Sequence, residues 1–395
     1  MKNVSVTCGY LPLVDSAPLI IAKELTFASE EGVDLTLVQQ PSWSALRDRL
    51  AFGQIDFAHM LSPMPVAATL GLGGAPMPID TLMVLSVNGT VIGVSDALAQ
   101  LMAAGGWRNR FDSPESTSAA VLSAQPRPVR IGVPFAFSMH RLLVEYWLSQ
   151  DPGFTPDKID LVTVPPPQMG AALDEGRIDM FCVGEPWGSV AVQQCGATLV
   201  LPGAAIWSFA PEKVLGAHHD WVSQHPETCC AMVRAVYKAA QWLEQPHNIP
   251  LAVEILAQSA HLDLPDQAIE PALTGRMTLR VGQGPVPVDR FMAFHDGAAN
   301  FPWQSQARWI AQHLSGAGNT GAAAAAVAAQ CFRPDLYRAA LAPMGVDLPE
   351  VSSKVEGAMR HATPVASTRG ALILGPDTFF DGAVFDFDSK TAPKK

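Results

Sequence analysis

The sequence lacks several features that would place it in common functional classes. It has no uninterrupted apolar stretch of about 18 residues, so we expect no membrane-spanning helix. It has no run of lysine and arginine, and its formal net charge is -11, so direct binding to nucleic acid or to an acidic membrane is not expected. Its six cysteines show neither C-x-x-C pairing nor zinc-ligand spacing, a pattern typical of reduced thiols in a cytosolic core.

The amino terminus also lacks the features of an export signal. Met1-Lys2-Asn3 leads directly into the alternating pattern of residues 4–8, which is typical of a β-strand. No basic segment, apolar segment and small-residue cleavage site precede it. We therefore expect a cytoplasmic protein; the alternative is an exported protein whose leader was removed.

An internal repeat organises the chain. With 395 residues, 48% of them hydrophobic, the sequence can form two cores of ordinary domain size. Gly53-Gln54-Ile55-Asp56 reappears as Gly176-Arg177-Ile178-Asp179, 123 positions later (176 − 53). Both copies, residues 4–60 and 129–183, show the pattern strand, helix, strand, helix, strand.

Strands that alternate with helices predict parallel sheets flanked by helices, and hence an α/β fold with two lobes of similar build. We assign residues 1–92 and 197–340 to lobe I and residues 93–196 to lobe II, with hinges near 92 and 197. We expect residues 341–395 to form an extension that wraps the surface.

Unusual residues collect at the predicted strand ends, where such sheets bind ligands. In the first copy they are Pro12, Asp15, 39–43 and 59–63, and in the second they are 134–140, 165–168 and 184–187. Two lobes whose strand ends face each other form a cleft, so we expect the ligand between them.

Three residues are suited to a small anion. Trp43 lies at a strand end and offers an indole N–H, and Lys213 offers a cation. His140 follows Ser138, a predicted N-cap, so it lies in the first turn of a helix, where free backbone N–H groups favour an anion. By residue type alone, a core aromatic, a satisfied histidine and a solvated lysine are the alternatives.

Longer motifs carry a family resemblance. Over about residues 3–340 the chain resembles the nitrate-binding proteins of ABC uptake systems, a family of solute-binding proteins that also includes bicarbonate binders. The resemblance implies a two-lobed, periplasmic-binding-protein-like (venus flytrap, type II) fold. The motifs are Gly9-Tyr10-Leu11-Pro12-Leu13, Ala17-Pro18-Leu19-Ile20-Ile21-Ala22-Lys23, Val164-Pro165-Pro166-Pro167-Gln168-Met169, Phe181-Cys182-Val183-Gly184-Glu185-Pro186-Trp187 and Pro211-Glu212-Lys213.

The resemblance also implies a binding site. Trp43, His140 and Lys213 match positions that contact nitrate, and Pro166 and Gly184 match backbone positions that line the pocket. A retained Lys213 favours nitrate or nitrite over bicarbonate and implies neither a metal nor a cofactor.

Two points of the site remain open. Where the transporter branch carries Asn-Gly-Gln, this chain has Asn88-Gly89-Thr90, and the shorter Thr90 lacks an amide donor, so affinity or anion preference is expected to differ. Glu185 can repel an anion or orient Lys213, but a structural hydrogen bond is the favoured role.

Because no export signal is present, the chain resembles the cytoplasmic NasS-type sensors of this family. We therefore predict a cytoplasmic nitrate/nitrite sensor that closes on the anion and releases an RNA-binding antitermination regulator of the NasT type. The alternative is the nitrate-binding subunit of an ABC uptake transporter. An enzyme of pyrimidine- or thiamine-precursor synthesis with this fold is less favoured, since no nucleophile–base pair is apparent, and we expect no enzyme activity.

Overall fold

The computed structural model describes residues 3–74, 77–314 and 322–387. None of the helices in these ranges has the length and apolar character needed to cross a bilayer. Within these ranges, the strands are β1 (Val4–Tyr10), β2 (Val33–Gln39), β3 (Phe57–Leu61), β4 (Ile79–Asn88), β5 (Thr90–Val94), β6 (Val129–Val133), β7 (Ile159–Thr163), β8 (Met180–Gly184), β9 (Thr198–Pro202), β10 (Pro211–His218), β11 (Arg276–Met277), β12 (Val286–Pro287), β13 (Met292–Ala293), β14 (Thr363–Pro364) and β15 (Ile373–Leu374).

Helices pack on both sheets formed by these strands. In the same ranges they are α1 (Ala17–Glu24), α2 (Phe27–Glu30), α3 (Trp43–Ala51), α4 (Pro63–Thr69), α5 (Asp96–Ala104), α6 (Pro114–Ser123), α7 (Met139–Ser149), α8 (Met169–Asp174), α9 (Trp187–Cys195), α10 (His219–Gln224), α11 (Pro226–Leu243), α12 (Ile249–Ala257), α13 (Asp266–Thr274), α14 (Gln304–Leu314), α15 (Ala322–Ala328) and α16 (Pro334–Leu341).

The two main sheets confirm the α/β prediction, but they are mixed and not parallel throughout. The first has the order β13-β4-β10-β3-β1-β2, with β1 parallel to β2 and β3, and β10 antiparallel to β3 and β4. The second has the order β7-β6-β8-β5-β9, with β6 parallel to β7 and β8, and β5 antiparallel to β8 and β9. The chain passes from one sheet to the other twice, between β4 and β5 and between β9 and β10. Strands joined in this way need no helical crossover between them.

The sequence repeat extends to equivalent hydrogen bonds. In the first copy, the amide N–H of Thr7 donates to Asp56 Oδ2 at 2.8 Å, and in the second, that of Arg130 donates to Asp179 Oδ2 at 3.0 Å. A Cβ added to Gly9 would lie 2.7 Å from Ile55 Cδ1, and one added to the equivalent Gly132 would lie 2.8 Å from Ile178 Cδ1. The repeat is therefore a duplication of packing as well as of sequence.

The chain passes between the sheets at positions that differ from those we predicted. The first passage is at Gly89, which has φ 87° and joins β4 of one sheet directly to β5 of the other. The second lies between β9 and β10, at residues 203–210. The expected boundary at 92 lies inside β5, and the one at 197 lies just before β9, both strands of the second sheet. Apolar patterning predicted the strands but does not indicate which sheet a strand joins.

A carboxyl-terminal segment packs against the second passage. The N–H of Ser208 donates to the carbonyl of Thr378 at 3.0 Å, and the N–H of Phe380 donates to that of Ile206 at 2.9 Å. The ring of Phe379 stacks on Trp207 with centroids 4.7 Å apart. Residues 388–395 of the predicted extension lie outside the described residues.

The same segment contacts the second sheet's layer. Tyr146, on α7, donates its hydroxyl to the carboxylate of Asp381 at 2.9 Å and packs edge to face on Phe380. On the other side, Phe379 lies parallel to Trp309 of α14, with centroids 5.9 Å apart. Residues 378–381, which we name the strap, thus contact helices associated with both sheets as well as the passage between them.

Candidate functional site

Trp43 begins helix α3 at the carboxyl end of β2. The helix starts here because Ser42, in extended conformation, accepts a hydrogen bond from the N–H of Ala45 at 3.1 Å. Trp43 is 2% exposed. Its Nε1 is buried and has no hydrogen-bond partner within the part of the chain that the structure describes, so the indole offers a free donor.

His140 is the second residue of α7, as the sequence predicts. Ser138 caps the helix, since its Oγ accepts a hydrogen bond from the N–H of Arg141 at 3.2 Å. The imidazole is buried, and its Nδ1 lies 3.0 Å from Glu212 Oε1. The cap therefore fixes the helix start that carries the imidazole to the boundary between the lobes.

Lys213 is fully buried in the centre of the first sheet, where β10 lies between β3 and β4. Alternate residues of a regular strand point to opposite faces. The pairing of β10 with β4 shifts register on both sides of Lys213, and such irregularities re-aim side chains. This explains how the carboxylate of Glu212 contacts the ammonium of its own neighbour, Lys213.

The charged side chains form one continuous cluster, which we name the five-residue relay. Lys213 Nζ donates to Asp15 Oδ2 at 2.6 Å and also contacts Glu212. Asp15 Oδ1 lies 2.9 Å from His59 Nε2, within ion-pair distance but without the alignment of a hydrogen bond. In order along the cluster, the relay is His59, Asp15, Lys213, Glu212 and His140.

Trp43 covers the relay on one side. Lys213 Nζ lies 5.5 Å from the centroid of the Trp43 ring, and His59 lies 5.9 Å from it, ring to ring. A cation at this distance is attracted by the negative face of an indole. The aromatic wall, the ammonium and an imidazole thus lie in one buried region.

Burial and ion pairing shift the pKa values of the relay's carboxyl groups in opposite directions. Burial opposes ionisation of Asp15, but Lys213 and then His59 overcome it and hold the pKa of Asp15 at about 2. Burial likewise opposes ionisation of Glu212, and Lys213 and His140 overcome it, so its pKa is also lowered. Both carboxylates are therefore ionised at neutral pH.

The pKa values of Lys213 and His59 shift in opposite directions. Burial disfavours the charged form of Lys213, but the two carboxylates outweigh it and its pKa is raised. For His59 burial dominates over the attraction of Asp15, and its pKa is lowered. The amine is therefore charged at neutral pH, while His59 is neutral.

Gly184 brings the second lobe close to this cluster. It ends β8, and a Cβ added there would lie 2.9 Å from Leu13 Cδ2, 3.5 Å from Asp15 Oδ2 and 3.6 Å from His140 Nε2. Glycine at this position therefore allows the close approach of the two lobes. His140 Nε2 has no hydrogen-bond partner among the described residues.

Glu185 has a structural hydrogen bond, the role that the sequence favours. Its Oε2 accepts from the N–H of Ser189 at 3.1 Å, in the first turn of α9, and its carbonyl accepts from the N–H of Val14 at 2.9 Å. Burial raises the pKa of its carboxyl to about 7, despite the hydrogen bond from Ser189. The backbone of Glu185 thus joins the two lobes next to the relay.

Thr90 begins β5 and Pro166 follows β7, two strands of the second sheet that are separated by β6 and β8. Thr90 pairs with Gly184 in the second sheet, but its Oγ1 faces Gly203, where an added Cβ would lie 2.1 Å away. Pro166 is buried in a short 3₁₀ turn, Pro166–Gln168, that follows β7. The structure therefore joins Trp43, His140, Lys213 and Gly184 in one place, with Thr90 paired to Gly184 and Pro166 at the end of a more distant strand.

Three relay members were not selected from the sequence. Asp15 and His59 were noted as residues at strand ends, and Glu212 as part of a family motif. A signal was available, since a buried lysine requires a counter-charge. Its burial was not visible, however, because the sequence surrounding Lys213 does not show that β10 is a central strand.

Sequence comparisons agree with the fold. Residues 1–257 match the model of the NMT1-like family. The nitrate/nitrite-binding protein NrtA of Synechococcus elongatus is 32% identical, over 98% of this chain and 84% of that protein. The nitrate import ATP-binding protein NrtC of Synechocystis sp. PCC 6803 is 34% identical over 80% of this chain, which spans only 46% of that longer relative.

A solved structure extends the likeness to three dimensions. The crystal structure of the periplasmic nitrate-binding protein NrtA from Synechocystis PCC 6803 matches with a TM-score of 0.82 and 28% identity, covering 98% of this chain and 96% of that one. This confirms the periplasmic-binding-protein-like fold. The chain therefore belongs to the NMT1-like family and shares the solute-binding fold of the NrtA proteins.

Proposed function

We propose that the protein binds nitrate or nitrite between its two lobes as the solute-binding component of an ABC uptake system, and that it is not an enzyme. The observation that carries the proposal is the convergence of Trp43, His140 and Lys213 in one buried region, with donors that lack partners among the described residues. Relatives named for nitrate binding and nitrate import support it.

The chemistry of the site suits a ligand that only accepts hydrogen bonds. Lys213 has three N–H groups, and Asp15 and Glu212 account for two of them. The third, together with Trp43 Nε1, is available to a planar oxyanion. The relatives named for nitrate and nitrite binding make these two anions the better candidates.

Closure of the lobes follows from contacts to both. Trp43 and Lys213 belong to the layer of the first sheet, and His140 and Gly184 to that of the second. A ligand that contacts both layers stabilises the arrangement in which they meet, and it shifts the population only by its differential affinity. Charge-assisted hydrogen bonds worth about 1.5–3 kcal/mol each can supply that difference.

A thermal-shift series tests the proposal. Nitrate and nitrite should raise the melting temperature of the protein, whereas chloride and bicarbonate should not. The shift should disappear in Lys213→Met and persist in Lys238→Met, a matched control in which the lysine pairs with Glu31 away from the site. Equal shifts for all four salts, or none in folded protein, would rule the proposal out.

The cytoplasmic sensor is the second candidate. It is motivated by the strap, which contacts both lobes and the passage between them, so closure can change the surface around it. In this version the closed protein releases an RNA-binding antitermination regulator of the NasT type. A mixture with such a regulator should separate on a sizing column when nitrate is added; co-elution at saturating nitrate would contradict the sensor role but not nitrate binding.

A further inference from the structure

The two imidazoles of the relay have the same arrangement. His140 Nδ1 lies 3.0 Å from Glu212 Oε1, and His59 Nε2 lies 2.9 Å from Asp15 Oδ1, both within ion-pair distance but without the alignment of a hydrogen bond. In a neutral imidazole one nitrogen carries the hydrogen and the other is an acceptor. The hydrogen is favoured on the nitrogen that faces a carboxylate. The opposite nitrogen, His140 Nε2 or His59 Nδ1, is then a lone pair.

A lone pair at His140 Nε2 repels an anion. This nitrogen is buried beside Gly184 and has no partner among the described residues, so it is the atom of α7 best placed to contact an anion held by Lys213. It becomes a donor only when the imidazole is protonated. The contact that the proposed function requires from His140 therefore needs a proton as well as the anion.

The charge of the relay leads to the same requirement. Before the imidazoles are counted, the two carboxylates and the one ammonium of the relay leave one negative charge in excess. A buried anion added to this cluster would leave two negative charges in excess, at a high desolvation cost. Two protons, one on each imidazole, bring the relay with its anion to neutrality.

We propose that the site holds its anion with both His140 and His59 protonated, Asp15 and Glu212 being the positioning residues that hold the two imidazolium groups. The inference rests on the proposed function and adds that the bound anion is accompanied by protons on the histidines of the site. His140 becomes a direct donor to the anion, and His59 supplies the second balancing charge. The nitrate itself stays ionised, and the protons that accompany it are carried by the two imidazoles.

The neighbouring groups differ in whether they can accept a proton when the anion binds. Burial lowers the pKa of His59, so it is neutral before the anion arrives. Burial raises the pKa of the nearby thiols Cys8 and Cys182, which stay neutral throughout. Glu185, next to Gly184, is the remaining candidate, since its pKa is about 7. The titratable and charged groups that face the two imidazoles are Asp15, Glu212, Lys213, Cys8, Cys182 and Glu185.

Isothermal titration with sodium nitrate tests this directly. At about pH 8, the measured heat of binding should differ between two buffers of unequal ionisation enthalpy. The slope of this heat against the ionisation enthalpy of the buffer should correspond to about one to two protons taken up per anion. Above the titration range of the imidazoles, the affinity should fall about 10- to 100-fold per pH unit. Binding with equal heats in both buffers and a pH-independent affinity would overturn the inference but leave the proposed function intact.

Variants identify the proton carriers. His59→Asn should lower proton uptake by about one per anion, whereas His219→Asn should not change it. His219 is the matched control because its Nδ1 pairs with Asp80 at 3.0 Å outside the relay. Unchanged uptake in His59→Asn, or loss of uptake in Glu185→Gln, would overturn the assignment.

Two further outcomes are decisive. If His59→Asn fails to fold, the buffer comparison on the unmodified chain still tests proton uptake. If the folded unmodified chain binds no nitrate at any pH between about 5.5 and 9, a range that spans the titration of histidine, the proposed function fails and this inference fails with it.

Discussion

Lys213 donates a hydrogen bond from Nζ to Asp15 Oδ2 at 2.6 Å, across 198 positions of sequence. This bond joins the central strand β10 to the segment that follows β1, below the aromatic ring of Trp43. Because Lys213 also contacts Glu212, one ammonium compensates two buried carboxylates. The same group that attracts an anion is therefore needed to keep the site folded.

Replacing Lys213 by methionine should destabilise the protein strongly. The variant leaves Asp15 and Glu212 buried without their shared cation, and breaking a buried pair in this way costs about 3–5 kcal/mol. Urea denaturation at neutral pH measures the loss. Lys238→Met, on a partly exposed pair, should change stability by less than about 1 kcal/mol.

The effect of Lys213 should depend on pH. The pKa of Asp15 is lowered to about 2, so its contribution to stability is complete above the unfolded value of about 3.9 and is lost as the pH falls toward 2. The difference between the variant and the unmodified protein should thus shrink below about pH 4. A difference that stays constant down to about pH 2.5 would contradict this account of Asp15.

Gly184→Ala should weaken nitrate binding more than it weakens the fold. The added methyl group would lie 3.6 Å from His140 Nε2 and 2.9 Å from Leu13 Cδ2, and so occupy the space beside the imidazole. We expect a loss of affinity of on the order of tenfold, about 1.4 kcal/mol, by isothermal titration. In Gly284→Ala, where the added carbon meets no atom within 4 Å, affinity should be unchanged.

Glu185→Gln should remove a pH dependence of stability. Burial raises the pKa of Glu185 from 4.5 to about 7, so the folded protein binds more protons than the unfolded chain between these values. Stability therefore falls as the pH rises from about 4.5 to above 7, by on the order of 3 kcal/mol. Glutamine keeps an acceptor for Ser189 and has no charge to desolvate.

The measurement is the free energy of unfolding at about pH 5 and about pH 8, either side of the Glu185 titration. The decrease in the free energy of unfolding from the lower to the higher pH should be smaller in Glu185→Gln than in the unmodified protein. Glu145→Gln, at an exposed i,i+4 pair with Arg141, is the control and should keep the decrease. Parallel pH profiles for Glu185→Gln and the unmodified protein would show that this carboxyl is not the source.

Phe379→Ala should destabilise the contact between the strap and the second passage. Phe379 is 3% exposed and stacks on Trp207, and truncation of a buried phenylalanine costs about 3–5 kcal/mol. Phe52→Ala is the matched control, since Phe52 is 77% exposed and should change stability by no more than about 0.5 kcal/mol. Equal stability of the two variants would show that the strap does not contribute to the fold.

The local structure of the site was predictable from the sequence. Ser138 caps α7 in the structure and places His140 in its first turn, where we expected it. Ser42 likewise caps α3, which begins at Trp43, a residue that we predicted only to lie at a strand end. The duplicated strand-helix pattern predicts the α/β fold and the strand ends after which Asp15 and His140 lie. Capping and periodicity involve residues a few positions apart, so they can be recognised in the chain itself.

The partners of these residues required the tertiary structure. Nothing near Lys213 in the sequence indicates that Asp15 neutralises it, or that Glu212 turns to the same side of β10. The passages between the sheets were misplaced for the same reason. Local patterning determined which elements form and which side chains reach the cleft, whereas the charge and protonation of the site depend on burial and on distances between distant segments, which only the folded chain sets.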